Sequence, residues 1–376
     1  MVQVQTSRRA LLALGVTSLF ASFALAQAGD GVVVGNDVVN DGVKIRSAGN
    51  WNNLPSLGPV TGLAGDNTSC TLWIASSRLL ENGRSVGNLK RLSRGDSFET
   101  VVADFTATDL SNELAIISIS GLAWHNGQLI GYRSVSGGTV NAANPLTGIA
   151  DDVPEGFYTI NTTTGFCTPL YLIPDASRNL WDFSALDSDG TVLWGGNDNL
   201  TATPATGGVP GLYRINFSLG NPFVLVSAYP TSASYPGTGT SVRDIDGLAA
   251  GEGRVWLVPD ETSTTIRPWI VLTGSYAPSQ DLPTPFLAAS NVAITSGGAY
   301  LPCWLLPVNQ CDSIDFNGDG LFPDDQDLVD FLSVLAGGPC STGTCNDIDF
   351  NNDQLFPDDS DLVAFLRVLA GGNCND

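Results

Sequence analysis

Gly121-Leu122-Ala123-Trp124-His125-Asn126-Gly127-Gln128-Leu129-Ile130-Gly131 reads as two short apolar strands facing each other across Asn126-Gly127. An Asn-Gly pair supplies the positive φ angles that a two-residue hairpin turn requires. The unit recurs as Gly62-Leu63-Ala64 before Leu72-Trp73-Ile74, as Ser184-Ala185-Leu186 before Val192-Leu193-Trp194, and as Gly247-Leu248-Ala249 before Val255-Trp256-Leu257. Successive starts lie 59, 63 and 63 residues apart. Asp189-Gly190 turns the third copy, and a degenerate fifth runs from Asn291-Val292-Ala293 to Ala299-Tyr300-Leu301. Between the pairs a second motif repeats: Gly156-Phe157-Tyr158-Thr159-Ile160-Asn161 with Gly165, and Gly211-Leu212-Tyr213-Arg214-Ile215-Asn216 with Gly220.

Such a period, in a chain rich in Gly, Thr, Ser and Pro with no long 3.6-residue periodicity, is an all-β repeat signature. Each unit reads as a meander of about four strands, and such units closing radially form a propeller. Residues 27–305 are therefore expected to be mainly β, a propeller-like domain of about four to six blades. A β-sandwich or an irregular β-solenoid is the competing arrangement. The pattern resembles the repeats of secreted bacterial β-propellers, in which a Gly-Leu-Ala strand leads through a turn to an aromatic strand and then to a Tyr-x-Ile-Asn strand ending in Thr-Gly.

A formal charge of −22 on 376 residues repels nucleic acid and anionic membrane surfaces, so neither is an expected partner. Residues 1–26 read as an export signal: Arg8 and Arg9 precede the apolar run 11–25, and Ala24-Leu25-Ala26 is a small-x-small cleavage site before Gln27. Ser7-Arg8-Arg9-Ala10-Leu11-Leu12 also resembles the twin-arginine signal, with Leu11 in place of the usual aromatic. That run is short for a bilayer span and no other segment approaches one. The expectation is an exported protein without a membrane span after cleavage, extracellular, at the cell surface or periplasmic. Seven cysteines fit an oxidising compartment.

After a linker at 306–310, residues 311–376 write a loop-and-helix unit twice at an offset of 34, over 311–340 and 345–374. Asp315-Phe316-Asn317-Gly318-Asp319-Gly320-Leu321-Phe322-Pro323-Asp324-Asp325 returns as Asp349-Phe350-Asn351-Asn352-Asp353-Gln354-Leu355-Phe356-Pro357-Asp358-Asp359. Fourteen aspartates against one basic residue, Arg367, place −13 of the formal charge in this segment. Oxygen side chains at alternate positions of a loop are what a hard cation such as Ca²⁺ requires. Leu328, Phe331, Leu332 and Leu335, and again Leu362, Phe365, Leu366 and Leu369, recur at helical spacing. They predict two short helices packed on one another through that stripe, closed by Gly337 and Gly371. Cys311, Cys340, Cys345 and Cys374 bracket the copies, and the repeat symmetry favours Cys311 with Cys340 and Cys345 with Cys374. Cys70, Cys167 and Cys303 then leave at least one thiol unpaired within the chain.

The tail resembles the dockerin type I family, whose tandem EF-hand-like calcium loops and helices dock onto cohesin modules. The resemblance implies a small α-helical calcium domain after the propeller, with two Ca²⁺ as cofactors. It implies ligands at Asp315, Asn317 and Asp319 and at Asp349, Asn351 and Asp353, with the backbone carbonyls of Leu321 and Leu355 completing each loop. Gln326 and Ser360 hold the position of the family's last acidic ligand, so that role passes to Asp327 and Asp361, which would also serve as helix N-caps. Gly320 fills the sharp turn of the first loop, where the second has Gln354. The family's partner-recognition positions fall on Asp324, Asp325, Asp358 and Asp359. A cohesin-like or other cell-surface protein, or a polysaccharide, is the implied partner.

No catalytic residue is assigned. The one histidine, His125, sits beside a turn, which leaves no Ser-His-Asp arrangement in view. Asp182, Asp187, Asp244, Asp246, Asp260 and Glu261 lie near predicted strand ends, and their spacing selects no glycosidase-type pair. Trp124, Trp181, Trp194, Trp256 and Trp269 read as core or inter-blade packing, with the lining of a carbohydrate groove as the alternative. The expected function is a secreted or cell-surface binding protein that attaches through its tail and presents a propeller surface. The competing expectation is an extracellular, carboxylate-dependent glycoside hydrolase delivered by that tail.

Overall fold

The computed structural model describes residues 27–36, 42–56, 58–79, 85–134, 153–174, 180–198, 208–229, 245–260, 264–287, 295–305, 311–321, 324–351, 359–372 and 374. Five antiparallel sheets form a five-bladed β-propeller. Blade I contains Gly62–Asp66, Thr71–Leu79, Ser85–Ser93 and Thr100–Asp104, innermost strand first. Blade II follows with Gly121–His125, Gln128–Arg133, Gly156–Ile160 and Cys167–Leu172. Blade III has Ala185–Ser188, Leu193–Asn197, Gly211–Ile215 and Phe223–Ala228. Ile245–Gly251, Arg254–Pro259, Thr265–Ile270 and Ser275–Tyr276 make blade IV, with Leu282–Pro283 added beside its third strand. Blade V is split: its inner strand, Thr295–Tyr300, comes late in the chain and its other three, Val32–Asn36, Val43–Ser47 and Asn50–Leu54, come first.

Burial explains the apolar runs. The two innermost strands of a blade are sandwiched between neighbouring blades, so Thr295–Tyr300, the inner strand of blade V, and Val32–Asn36 and Leu193–Asn197, the second strands of blades V and III, are buried at every position rather than at alternate ones. The outermost strand Cys167–Leu172 is exposed over most of its length. Five apolar clusters result, one between each pair of neighbouring blades.

The leading glycine of the repeated triplet marks where inner strands meet backbone to backbone. A Cβ at Gly121 would fall 2.6 Å from the Ser184 carbonyl oxygen of blade III, and one at Gly247 would fall 2.4 Å from the Gly297 carbonyl carbon of blade V. At Gly62 and Gly297 the corresponding approaches, to the amide nitrogens of Leu122 and Leu63, are 3.0 Å. Four glycines and Ser184 thus ring the axis.

Blade V corrects the reading of the fifth copy. Gly297-Gly298-Ala299 stands where blades I, II and IV have Gly-Leu-Ala, and Ala299 pairs with Val33 of the amino-terminal strand. Its second strand therefore lies at the opposite end of the chain, which a forward search for repeats does not reach. The Cys70–Cys303 disulfide ties the first hairpin of blade I to the segment just after the closing strand, across 233 residues of sequence. Trp304 Nε1 donates to the Cys70 carbonyl at 3.0 Å beside it. Cys167 is a free, buried thiol.

In the tail, α1 (Asp325–Leu335) and α2 (Asp359–Leu369) close over Phe316, Phe331, Phe350 and Phe365, all fully buried. Phe331 and Phe365 stack at 4.2 Å between ring centroids. The Asp312 amide donates to the Phe350 carbonyl and the Asn346 amide to the Phe316 carbonyl, both at 2.9 Å. Each contact is the other's image at the repeat offset, so the two copies are related by an approximate two-fold. That relation overturns the expected cysteine pairing: the bonds are Cys311–Cys374 and Cys340–Cys345. Exchange of the copies maps each of these bonds onto the other, just as it maps the expected pair, so symmetry alone does not choose between them. The two-fold does, by setting the start of each unit beside the end of the other. A second correction concerns Leu332 and Leu366, expected in the core but 43% and 45% exposed because the phenylalanines fill the space between the helices. Gly337 and Gly371 close the helices with φ of 80° and 84°, as the sequence predicts.

Candidate metal centre

The first loop gathers Asp315, Asn317, Asp319 and Asp327. The Asp315 carboxylate accepts the amides of Asp319 at 3.1 Å and Gly320 at 3.0 Å. Asn317 Oδ1 also accepts the Asp319 amide, at 3.0 Å, and Asp319 Oδ1 accepts that of Leu321 at 2.8 Å. Gly318 and Gly320, with φ of 67° and 80°, let the chain turn this tightly. Asp327 comes back from the helix to the loop: its fully buried carboxylate accepts the Asn317 amide at 3.4 Å and the Asp324 amide at 3.2 Å. The expected N-cap role of Asp327 is corrected by this geometry. Asp324 is the N-cap of α1 and Asp327 is its N3 partner in a capping box, because the helix begins two residues before the residue expected to cap it.

The second loop repeats the central relation, with the Asn351 amide donating to the fully buried Asp361 at 3.3 Å. The Asp349 amide donates to Asp347 at 3.0 Å. Asp353, Gln354 and Leu355 lie outside the described residues. Among the described residues no three Asp, Glu, His or Cys side chains converge as a metal cage. The donor set of the first loop is instead mixed, Asp with Asn, and all oxygen. That chemistry fits a hard cation and not a thiolate- or imidazole-seeking one.

Sequence reasoning missed Asp330. It lies in α1, almost fully buried, and accepts from Asn317 Nδ2 at 3.1 Å, Gln326 Nε2 at 3.2 Å, the Ser341 amide at 3.0 Å and the Ser341 hydroxyl. The Ser341 hydroxyl, together with Asn317 and Gln326, holds its carboxyl below the usual carboxylate range. The available signal was a break in the repeat, since the equivalent position is Ala364.

Two of the propeller's candidate carboxylates, Asp187 and Asp260, serve contacts between blades. Asp187, on the inner strand of blade III, accepts the Ala250 amide of blade IV at 2.7 Å and the Tyr300 amide of blade V at 3.2 Å. A Cβ at Gly65 of blade I would fall 2.8 Å from the Tyr300 carbonyl oxygen at the same level, so the axis there is filled by a carboxylate and strand backbones. Asp260 likewise accepts the Thr295 amide across the blade IV–V boundary at 3.1 Å. Asp244 and Glu261 lie outside the described residues. Half-buried His125 sets Nδ1 2.8 Å from the Ser188 hydroxyl of the next blade. Burial lowers its pKa, against the opposing charge of Asp189.

Burial pushes the Asp187 carboxyl well above its ordinary range, and the amides of Ala250, Ser188 and Tyr300 oppose the shift only in part. An acid that holds its proton more tightly when folded makes stability fall as pH rises from the unfolded carboxylate value, about 3.9, toward the folded one. Asp187→Asn keeps an oxygen for both amides and does not titrate. Its stability relative to wild type should therefore rise between pH 4 and neutrality, measured by urea denaturation at each pH; a difference that does not change with pH would refute a buried, proton-holding Asp187.

No protein-family model matches the sequence, and no curated protein matches it. Among solved structures, a candidate 6-phosphogluconolactonase from Bacteroides fragilis is similar over 69% of this chain and 68% of its own, with 9% identity and a TM-score of 0.30. A glucose dehydrogenase is similar over 66% of this chain and 86% of its own, with 10% identity and a TM-score of 0.24. At these scores neither likeness says anything about activity. No helix among the described residues is long and apolar enough to cross a membrane.

Proposed function

We propose that this chain is an exported binding protein in which the five-bladed propeller presents a ligand surface and a calcium-braced, dockerin-like tail attaches it to a partner. The observation that supports the tail's role is the return of a buried aspartate to the amide of the loop asparagine in both copies, Asp327 to Asn317 and Asp361 to Asn351. This gathers oxygen donors from loop and helix around one turn of chain. Bound there, Ca²⁺ would neutralise clustered carboxylates and fasten each loop to the helix that follows it. Asp315, Asn317, Asp319 and Asp327 would hold the first ion, with the Leu321 carbonyl, and Asp349, Asn351, Asp353 and Asp361 the second, with that of Leu355. Three disulfides accord with an oxidising compartment. The exposed Val329 and Leu332 of α1 and their images Val363 and Leu366 of α2 give the tail two apolar patches for a cohesin-like or other surface protein.

The test is calcium-dependent attachment. Labelled full-length chain and the double variant Asp315→Ala/Asp349→Ala are applied to the producing cells in millimolar Ca²⁺ and then washed with chelator. Wild type should be retained and then released by chelator, and the variant should wash off at once. Equal retention of both, indifferent to chelator, would remove the attachment reading.

A further inference from the structure

We propose that Asp330 is a positioning residue that fixes the Asn317 amide with its oxygen toward the loop, which makes the first loop the tighter of two unequal calcium sites. The proposal rests on the calcium reading of the tail and asks what distinguishes its two copies. An asparagine side chain offers a donor end and an acceptor end, and only the oxygen can ligate a cation. An ionised carboxylate only accepts, so Asp330 Oδ2, 3.1 Å from Asn317 Nδ2, selects the donor end for itself. Oδ1 is left to the loop, where it meets the Asp319 amide at 3.0 Å. Asn317 is fully buried, so a flipped amide would set its oxygen against a carboxylate with no water to separate them.

Asp330 is itself held from three further directions. Gln326 Nε2, the Ser341 amide and the Ser341 hydroxyl all donate to it, which locks its rotamer within α1. The residues of this network are not repeated in the sequence. At the repeat offset of 34, Asp330 becomes Ala364, Gln326 becomes Ser360 and Ser341 becomes Asn375. The second loop therefore lacks this carboxylate, and it also carries Gln354 where Gly320 takes a φ of 80°. Preorganisation of a ligand set lowers the cost of binding, and loss of an outer partner that orients a metal ligand typically weakens affinity about 10–100-fold.

The test is calorimetric titration of the decalcified, full-length, disulfide-intact chain with CaCl₂. Wild type should show two sites, one tighter than the other. Asp330→Ala should weaken the tighter site about 10–100-fold and leave the weaker one unchanged. Asp330→Asn, which retains an acceptor for the Asn317 amide, should recover most of that loss, and Gln326→Ala should weaken the same site only a few-fold. A general loosening of the tail would weaken both sites together and would not be rescued by asparagine. No binding by wild type overturns the calcium reading, and the proposal with it. Two sites in wild type with Asp330→Ala unchanged, or with both sites weakened alike, overturns the role of Asp330 while leaving the calcium reading standing.

Discussion

Alanine at Gly247 is expected to lower the melting temperature of the propeller by about 2–12 °C. Its Cβ would lie 2.4 Å from the Gly297 carbonyl carbon, 2.6 Å from the Gly298 nitrogen and 2.7 Å from the Gly297 oxygen. All three neighbours are backbone, so no side chain can rotate aside, and the inner strands of blades IV and V must part at the axis. Overpacking of this kind costs roughly 1–3 kcal/mol, and in a domain of this size each kcal/mol moves the midpoint by about 2–4 °C. Gly220 is the control, since a Cβ there meets nothing within 4 Å. Gly220→Ala should stay within about 0.5 kcal/mol of wild type. Thermal scans of both variants by circular dichroism make the comparison, and equal midpoints would contradict the backbone contact at the axis.

Phe365→Ala should destabilise the tail, unfold it once its disulfides are reduced, and leave the propeller standing. Phe365 stacks on Phe331 at 4.2 Å and meets Phe316 and Phe350 edge-on at 6.2 and 5.0 Å, and all four rings are fully buried. Removing one large aromatic from a core costs roughly 3–5 kcal/mol, which is about what a domain this small has in total. The Cys311–Cys374 bond, which closes a 63-residue separation, offsets part of the loss. In the chain-entropy model it contributes about 4 kcal/mol. Scanning calorimetry should therefore show the tail transition shifted down in the oxidised variant and abolished by reductant. A tail transition that survives both changes would show that the phenylalanine cluster is not what holds the unit together.

Much of this architecture was legible in the sequence because its causes are local. The leading Gly is visible at 62, 121 and 247 because a Cβ there would press on the backbone of a neighbouring inner strand, and Asn126-Gly127 announces its hairpin by the φ angles it must adopt. The aspartates and asparagines of the loops are visible because they alternate with other residues in the same pattern in both copies. Features that depend on which distant segments meet were not legible. Blade V joins the two ends of the chain, so its inner strand was read one strand out of place. The tail cysteines permit three pairings, all compatible with exchange of the copies, and only the two-fold packing of the Phe cores selects Cys311–Cys374 and Cys340–Cys345. Leu332 and Leu366 share the spacing of their buried neighbours yet face outward, since periodicity fixes a stripe but not its width. Asp330 follows no motif, and it stands out only where the repeat fails at Ala364.

Calcium held in the tail is the property on which the proposed function rests. Native mass spectrometry of the purified full-length chain, stripped with chelator and returned to millimolar Ca²⁺, counts the bound ions directly. Two ions per chain are expected, with one lost in Asp315→Ala, one lost in Asp349→Ala and none bound when both are replaced. A wild-type chain that takes up no calcium, or a double variant that still takes up two ions, would contradict it.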